Sequence, residues 1–126
     1  MALTSHRSLR KATGGRYRSY RKKRVYELSS KPVLTRLGEV KVRQTRGVGA
    51  TIKSKLLSAN TINVYDPKSK KYSKEMIKTI VENNANRHFV RRNIMTRGAV
   101  VDTAKGKVKI TSRPGQVGAL NGVLVR

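Results

Sequence analysis

Along much of this chain, apolar side chains recur at every second position. Val40 and Val42 alternate with Glu39, Lys41 and Arg43. Successive side chains of a strand point to opposite faces, so this spacing predicts a strand with its valines inward and its charges outward. Residues 51–57 repeat the pattern, with Ile52, Ser54 and Leu56 on one face and Lys53 and Lys55 on the other. After Ser58-Ala59-Asn60, residues 61–65 form a further strand with Ile62 and Val64 inward. Asp66-Pro67 marks a turn, because Asp accepts a local backbone hydrogen bond and Pro presets φ. Lys68, Lys70 and Lys71 on that loop face solvent.

Residues 73–82 fit two periods. Met76, Ile77, Ile80 and Val81 have helical spacing, whereas the β-branched Thr79, Ile80 and Val81 favour a strand, and the segment is read as a strand. Asn83-Asn84-Ala85-Asn86 is a break, and Asn86 caps a short helix through residue 93. That helix turns Phe89 inward and Arg87, Arg91 and Arg92 outward. Residues 99–103 and 107–112 form a hairpin around Ala104-Lys105-Gly106, with Val108 and Ile110 alternating against Lys107 and Lys109. Arg113-Pro114-Gly115-Gln116 reads as a type II turn with glycine at the positive-φ position. Residues 122–125 form the last strand. Short strands separated by turns give an all-β fold, a small barrel or sandwich. A closed or partly closed β-barrel of about six strands, with one short helix, hides the edges such strands would expose.

Charge adds a second part. Of 126 residues, 30 are Lys or Arg and six are Asp or Glu, for a net charge of +24. Nine of the first 24 residues are basic and none is acidic. Residues 1–36 carry +10 and residues 37–126 carry +14. The first stretch is too polar to build a core and is expected to be a basic extension, disordered when free. The second holds the barrel. Self-repulsion on this scale is relieved by a polyanion, above all nucleic acid. The chain has no Cys, which fits a reducing compartment. No apolar run resembles a signal peptide or a membrane span, so a soluble, intracellular protein with no membrane partner is expected.

Catalysis has little support. The two histidines, His6 and His88, lie on separate segments, and an acid–base pair must reach one phosphate together. Glu39, Asp66, Glu75, Glu82 and Asp102 are scattered, and ligand spacing for a metal is missing. Phosphate binding is better supported. Thr13-Gly14-Gly15-Arg16 admits two readings: a flexible linker, or a loop whose backbone N–H groups and arginine fork hold phosphate. It is not a P-loop, for want of the Lys-Ser/Thr ending. Tyr17, Tyr20 and Tyr26 interleave with arginines, and both planes stack on unpaired bases. Tyr26, beside Val25 and Leu28, is instead expected to pack on the barrel. Ten phosphate contacts would give a log–log salt slope of roughly −7 to −9. Fully extended, the first 36 residues span on the order of 120 Å, a reach suited to a large RNA particle.

Three segments together carry a resemblance: Arg10-Lys11-Ala12-Thr13-Gly14-Gly15-Arg16, Lys22-Lys23-Arg24-Val25-Tyr26-Glu27-Leu28 and Thr111-Ser112-Arg113-Pro114-Gly115-Gln116. They resemble the eukaryotic and archaeal type of the eighth protein of the small ribosomal subunit. Glu82-Asn83-Asn84-Ala85-Asn86-Arg87 is similar to the turn in archaeal members, which often have Pro where Asn84 stands. The hairpin closes directly through Ala104-Lys105-Gly106, as in the short archaeal form, without the eukaryotic insertion. The resemblance implies a small β-barrel with a basic extension, bound to small-subunit ribosomal RNA among neighbouring ribosomal proteins. It implies no catalytic activity, no small-molecule substrate, no cofactor and no homo-oligomer.

The candidate RNA-binding residues rest on charge and reach. They are Arg7, Arg10, Lys11, Gly14, Gly15, Arg16, Tyr17, Arg18, Arg21, Lys22, Lys23 and Arg24 in the extension. Lys53, Lys55, Arg91, Arg92 and Arg113 are secondary candidates. The rivals are a basic chromatin-type DNA-binding protein and a basic nuclease.

Overall fold

Strand alternation at Ile62 and Val64 is the start of a closed barrel. In the computed structural model, residues 3–4 and 7–125 are described. They fall into two units, Met1–Pro32 and Val33–Arg126. The boundary read from charge at residue 36 lies four residues beyond this one. Charge cannot see that Thr35 is 1% exposed, with its hydroxyl donating to Leu56 O at 2.6 Å.

The first unit contains β1 (Leu3–Thr4), a 3-10 turn at Val25–Glu27 and β2 (Leu28–Ser29), with β1 antiparallel to β2. Of its residues 4 and 7–32, none is buried. The second unit contains β3 (Thr35–Leu37), β4 (Lys41–Arg46), β5 (Ile52–Ala59), β6 (Thr61–Asp66) and β7 (Lys71–Glu82). There follow α1 (His88–Arg91), β8 (Ile94–Met95), β9 (Val100–Thr103), β10 (Gly106–Ile110) and β11 (Asn121–Leu124). Five strands close the barrel in the order β10-β11-β6-β7-β9, and β9 pairs back to β10. The other four form a sheet in the order β4-β5-β3-β8. All barrel pairings are antiparallel except β11 with β6, which is parallel.

The core is aliphatic. Ile62, Val64, Val101, Val108 and Ile110 are each at most 1% exposed, and Leu56, Met95 and Leu120 join the same cluster. Gly122 is buried among them. A methyl group there would stand 2.5 Å from Val108 Cγ1 and 3.0 Å from both Ile62 Cδ1 and Lys109 O.

The ambiguity at residues 73–82 has a structural cause. This segment belongs to the 12-residue strand β7, whose register against β9 shifts between Ile77 and Thr79 and again between Ile80 and Glu82. Each bulge inserts a residue and resets which face points inward. Buried positions thus fall at Ile77, Ile80 and Asn83, a spacing of three that imitates a helix. Asn83 closes the strand: Nδ2 donates to Ile94 O at 3.0 Å, and Oδ1 accepts from Ala85 N at 3.0 Å and Thr96 Oγ1 at 2.9 Å.

Four local expectations are corrected. Val40 and Val42 are 55% and 47% exposed and Ile52 is 66% exposed, because β4 is an edge strand and only the Leu56 end of the hairpin reaches the core. The helix spans four residues, and Asn86 makes a turn by accepting from His88 N at 2.9 Å rather than capping it as N-cap, which is Arg87. Gly115 does not take the positive φ of a type II turn. It is small for another reason: a Cβ would lie 3.2 Å from Val33 O. Tyr26 is 82% exposed, since its neighbours Val25 and Leu28 are exposed too and offer no apolar wall.

Candidate nucleic-acid interface

The first unit gathers cations around two tyrosines. The Arg10–Gly15 stretch closes on itself: Gly14 N donates to Lys11 O at 3.0 Å, and Lys11 N donates to Gly15 O at 2.8 Å. Gly14 is essential to the bend, with φ +84, and Arg10 Nη1 donates to Gly14 O at 3.0 Å. The Gly14 N–H offered to phosphate in the sequence reading is therefore used within the loop. The bend sets Arg10 opposite Arg16 in an isolated antiparallel bridge. Arg7 stacks over the Tyr17 ring at 4.2 Å, with Lys11 Nζ at 5.7 Å. A groove of about 270 Å³ is lined by Arg7, Tyr17, Arg18, Tyr20, Arg21, Lys22 and Lys23, among others.

Arg21 is held differently from its neighbours. Its guanidinium spans both carboxylate oxygens of Glu27, with Nη1 at 3.2 Å from Oε2, and its Nε donates to Tyr20 OH at 2.9 Å. Glu27 Oε2 also accepts from Arg24 N at 3.2 Å, closing the 3-10 turn. The bond to Glu27, then that to Tyr20, raises the Arg21 pKa further above its usual value. Arg21 stays charged, but part of its hydrogen-bonding fork is committed to Glu27.

In the second unit, Lys53 and Lys55 lie on the β4–β5 hairpin. Cross-strand register pairs Arg43 with Lys55 and Thr45 with Lys53, all on the face opposite Leu56. Like charges directly opposite each other destabilise a strand pair. Arg43 is the site residue missed in the sequence. It was read as an outward charge, and only the pairing across the Gly47–Thr51 bend brings it to Lys55. Arg91 and Arg92 stand exposed at the end of α1. Arg113, also exposed, opens the turn in which its carbonyl accepts from Gln116 N and Val117 N. These three sit on elements separate from the hairpin.

Among the described residues, no group of three His, Asp or Glu side chains converges as a metal site would require. His88 is exposed on α1, and His6 lies outside the described residues. No helix among the described residues is long and apolar enough to cross a membrane.

Comparison with known proteins gives one consistent result. The family model described as ribosomal protein S8e matches residues 4–125. The chain is 46% identical over 125 residues to the small ribosomal subunit protein eS8 of Picrophilus torridus, covering 99% of this chain and 100% of the relative. It is 48% identical over 120 residues to the protein of the same name from Nanoarchaeum equitans, covering 95% and 94%. The Methanosphaera stadtmanae protein of that name is 46% identical over 125 residues, covering 99% of each chain.

Proposed function

Because the chain belongs to the ribosomal protein S8e family, we propose that it is a structural constituent of the small ribosomal subunit that holds the subunit's RNA by charge neutralisation. It works in the cytoplasm as part of the ribosome, beside other ribosomal proteins, and catalyses no reaction.

One observation carries the RNA-binding reading. Twice the backbone register sets like charges against each other, Arg10 opposite Arg16 and Arg43 opposite Lys55. Such pairs cost the free protein stability and are relieved when phosphate lies between them. Six carboxylates cannot offset 30 cations from within. In the first unit, where none of residues 4 and 7–32 is buried, phosphate contacts supply the order that a core would otherwise give. The barrel unit docks its hairpin face on folded RNA.

A sucrose-gradient profile of native extract, probed for this chain, tests the assignment. Co-migration with the small subunit through moderate salt is expected. A peak on chromatin or in the soluble fraction would overturn it. Deleting residues 2–24 should cost most of the affinity for small-subunit ribosomal RNA, and an unchanged affinity would refute the role given to the extension.

A further inference from the structure

The barrel presents a surface that the charge-based reading does not include. Because Ile62 and Val64 point inward, Asn63 and Tyr65 of β6 point outward. Register places Tyr72 of β7 beside Tyr65, and Lys74 beside Asn63. On the other side, β11 places Asn121 beside Asn63 and Val123 beside Tyr65. Two rows thus cross three strands: an aromatic row ending at Tyr72, and a polar row running from Asn121 through Asn63 to Lys74. Beyond Val123 the aromatic row reaches Lys109 of β10, which is exposed. Asn63, Tyr65, Tyr72, Lys74, Asn121 and Val123 of these rows line an open groove of about 580 Å³, and Lys109 lies next to Val123 beyond that lining.

We propose that this groove is a second RNA site, which takes an unpaired nucleobase on Tyr72 and its flanking phosphates on Lys74 and Lys109. The inference rests on the RNA-binding reading above and adds a place and a chemistry to it. Tyr72 is 79% exposed even though its ring packs against one neighbour. Its ring lies 4.9 Å from that of the half-buried Tyr65, tilted by 38°, so one side is braced and the other open. Every base has a π-face, and stacking on an exposed aromatic is tolerant of sequence.

The polar row supplies what a base edge needs. Asn63 Nδ2 donates to Asn121 Oδ1 at 3.0 Å. That bond orients the pair and leaves Asn63 Oδ1 as acceptor and Asn121 Nδ2 as donor toward the groove. Ammonium groups at both ends, in a chain of net charge +24, suit a polyanion over a neutral protein surface. An unpaired segment is favoured over a regular duplex, whose bases offer no free face.

The test uses the full chain. Replacing the exposed ring with Tyr72→Trp introduces the only tryptophan, since the parent has none. Its emission should be quenched by a short oligouridylate and little changed by a blunt RNA duplex of equal length. Tyr72→Ala should weaken binding to small-subunit ribosomal RNA by about 5- to 150-fold, the range for one lost base stack, with the salt slope unchanged. Tyr72→Phe should restore the affinity, and Lys74→Gln should flatten the salt slope by about 0.7–0.9. If the parent binds the RNA and Tyr72→Ala binds equally well, the site is refuted while the RNA-binding reading stands. If the parent does not bind, that reading fails, and absence of quenching by oligouridylate then refutes the site separately.

Discussion

Gly122 offers a demanding test of how tightly the barrel is closed. Ala has no φ penalty here, since Gly122 is not among the positive-φ residues. In the unfolded chain, Gly→Ala alone would favour folding by about 0.4–1 kcal/mol through lost chain entropy. Against this, the added methyl would meet Val108 Cγ1 at 2.5 Å, closer than carbon atoms approach without displacement. It would also stand 3.0 Å from Ile62 Cδ1 and from Lys109 O, and the latter is ladder backbone that moves only with its strand. Overpacking of a full core costs about 1–3 kcal/mol. The net expectation is a loss of about 1–2 kcal/mol, which in a domain of this size lowers Tm by roughly 5–15 °C. Thermal unfolding followed by circular dichroism at fixed salt would measure it. Val108→Ala, itself destabilising, removes the nearest obstruction, so Gly122→Ala should cost measurably less in that background. A Tm equal to or above the parent's would refute the reasoning. Strict additivity in the double variant would show that the cost arises elsewhere than at Val108.

Other outcomes follow from the same packing and hydrogen bonds. Asn83→Ala should destabilise by about 1–3 kcal/mol, because Ile94 O, Ala85 N and Thr96 Oγ1 lose their partner at a buried site; urea unfolding should show a lower midpoint with an unchanged m-value. Lys55→Gln removes a like-charge pair with Arg43, so it should raise Tm at low salt, with the gain vanishing at high salt, while flattening the RNA salt slope by about 0.7–0.9. Residues 33–126 expressed alone should unfold cooperatively near the Tm of the full chain, since the core cluster draws on that stretch. Glu27→Gln should speed proteolysis within residues 20–28 of the free protein, because the Arg21 fork loses the carboxylate charge and one of its two acceptor oxygens.

Alternation was legible where a strand has one face fully inside the barrel, as at Ile62 and Val64 or Val108 and Ile110. There, burial depends on backbone period alone. It failed at Val40, Val42 and Ile52, where the chain keeps the strand period but runs beyond the core. It was equivocal at β7, because bulges convert a period of two into one of three. Of the candidate interface, the cations of the extension were visible as composition. Their local pairing was not: nothing in the order of residues says that Arg7 covers Tyr17 or that Glu27 takes Arg21. The Tyr65–Tyr72 pair spans a turn and is local enough to have been noticed. Asn121 joins it from a strand 58 residues away from Asn63, a relation only barrel closure creates.

That closure has an order built into it. Strands β6, β7, β9 and β10 follow one another as antiparallel neighbours, so each can pair as soon as the next is available. Only β11 must return across the whole sheet to fit between β10 and β6, and distant parallel pairing of this kind is slow to form. Until it arrives, β6 and β10 both keep an open hydrogen-bonding edge, exposed to partners of the wrong kind. The strand that comes last of the five in chain order therefore acts as the seal of the barrel. Asn121 and Val123 ride on that same strand, so the outer face across β11, β6 and β7 exists only in finished molecules. The basic extension carries its charge whether or not the barrel has closed, whereas this face appears only once folding is complete.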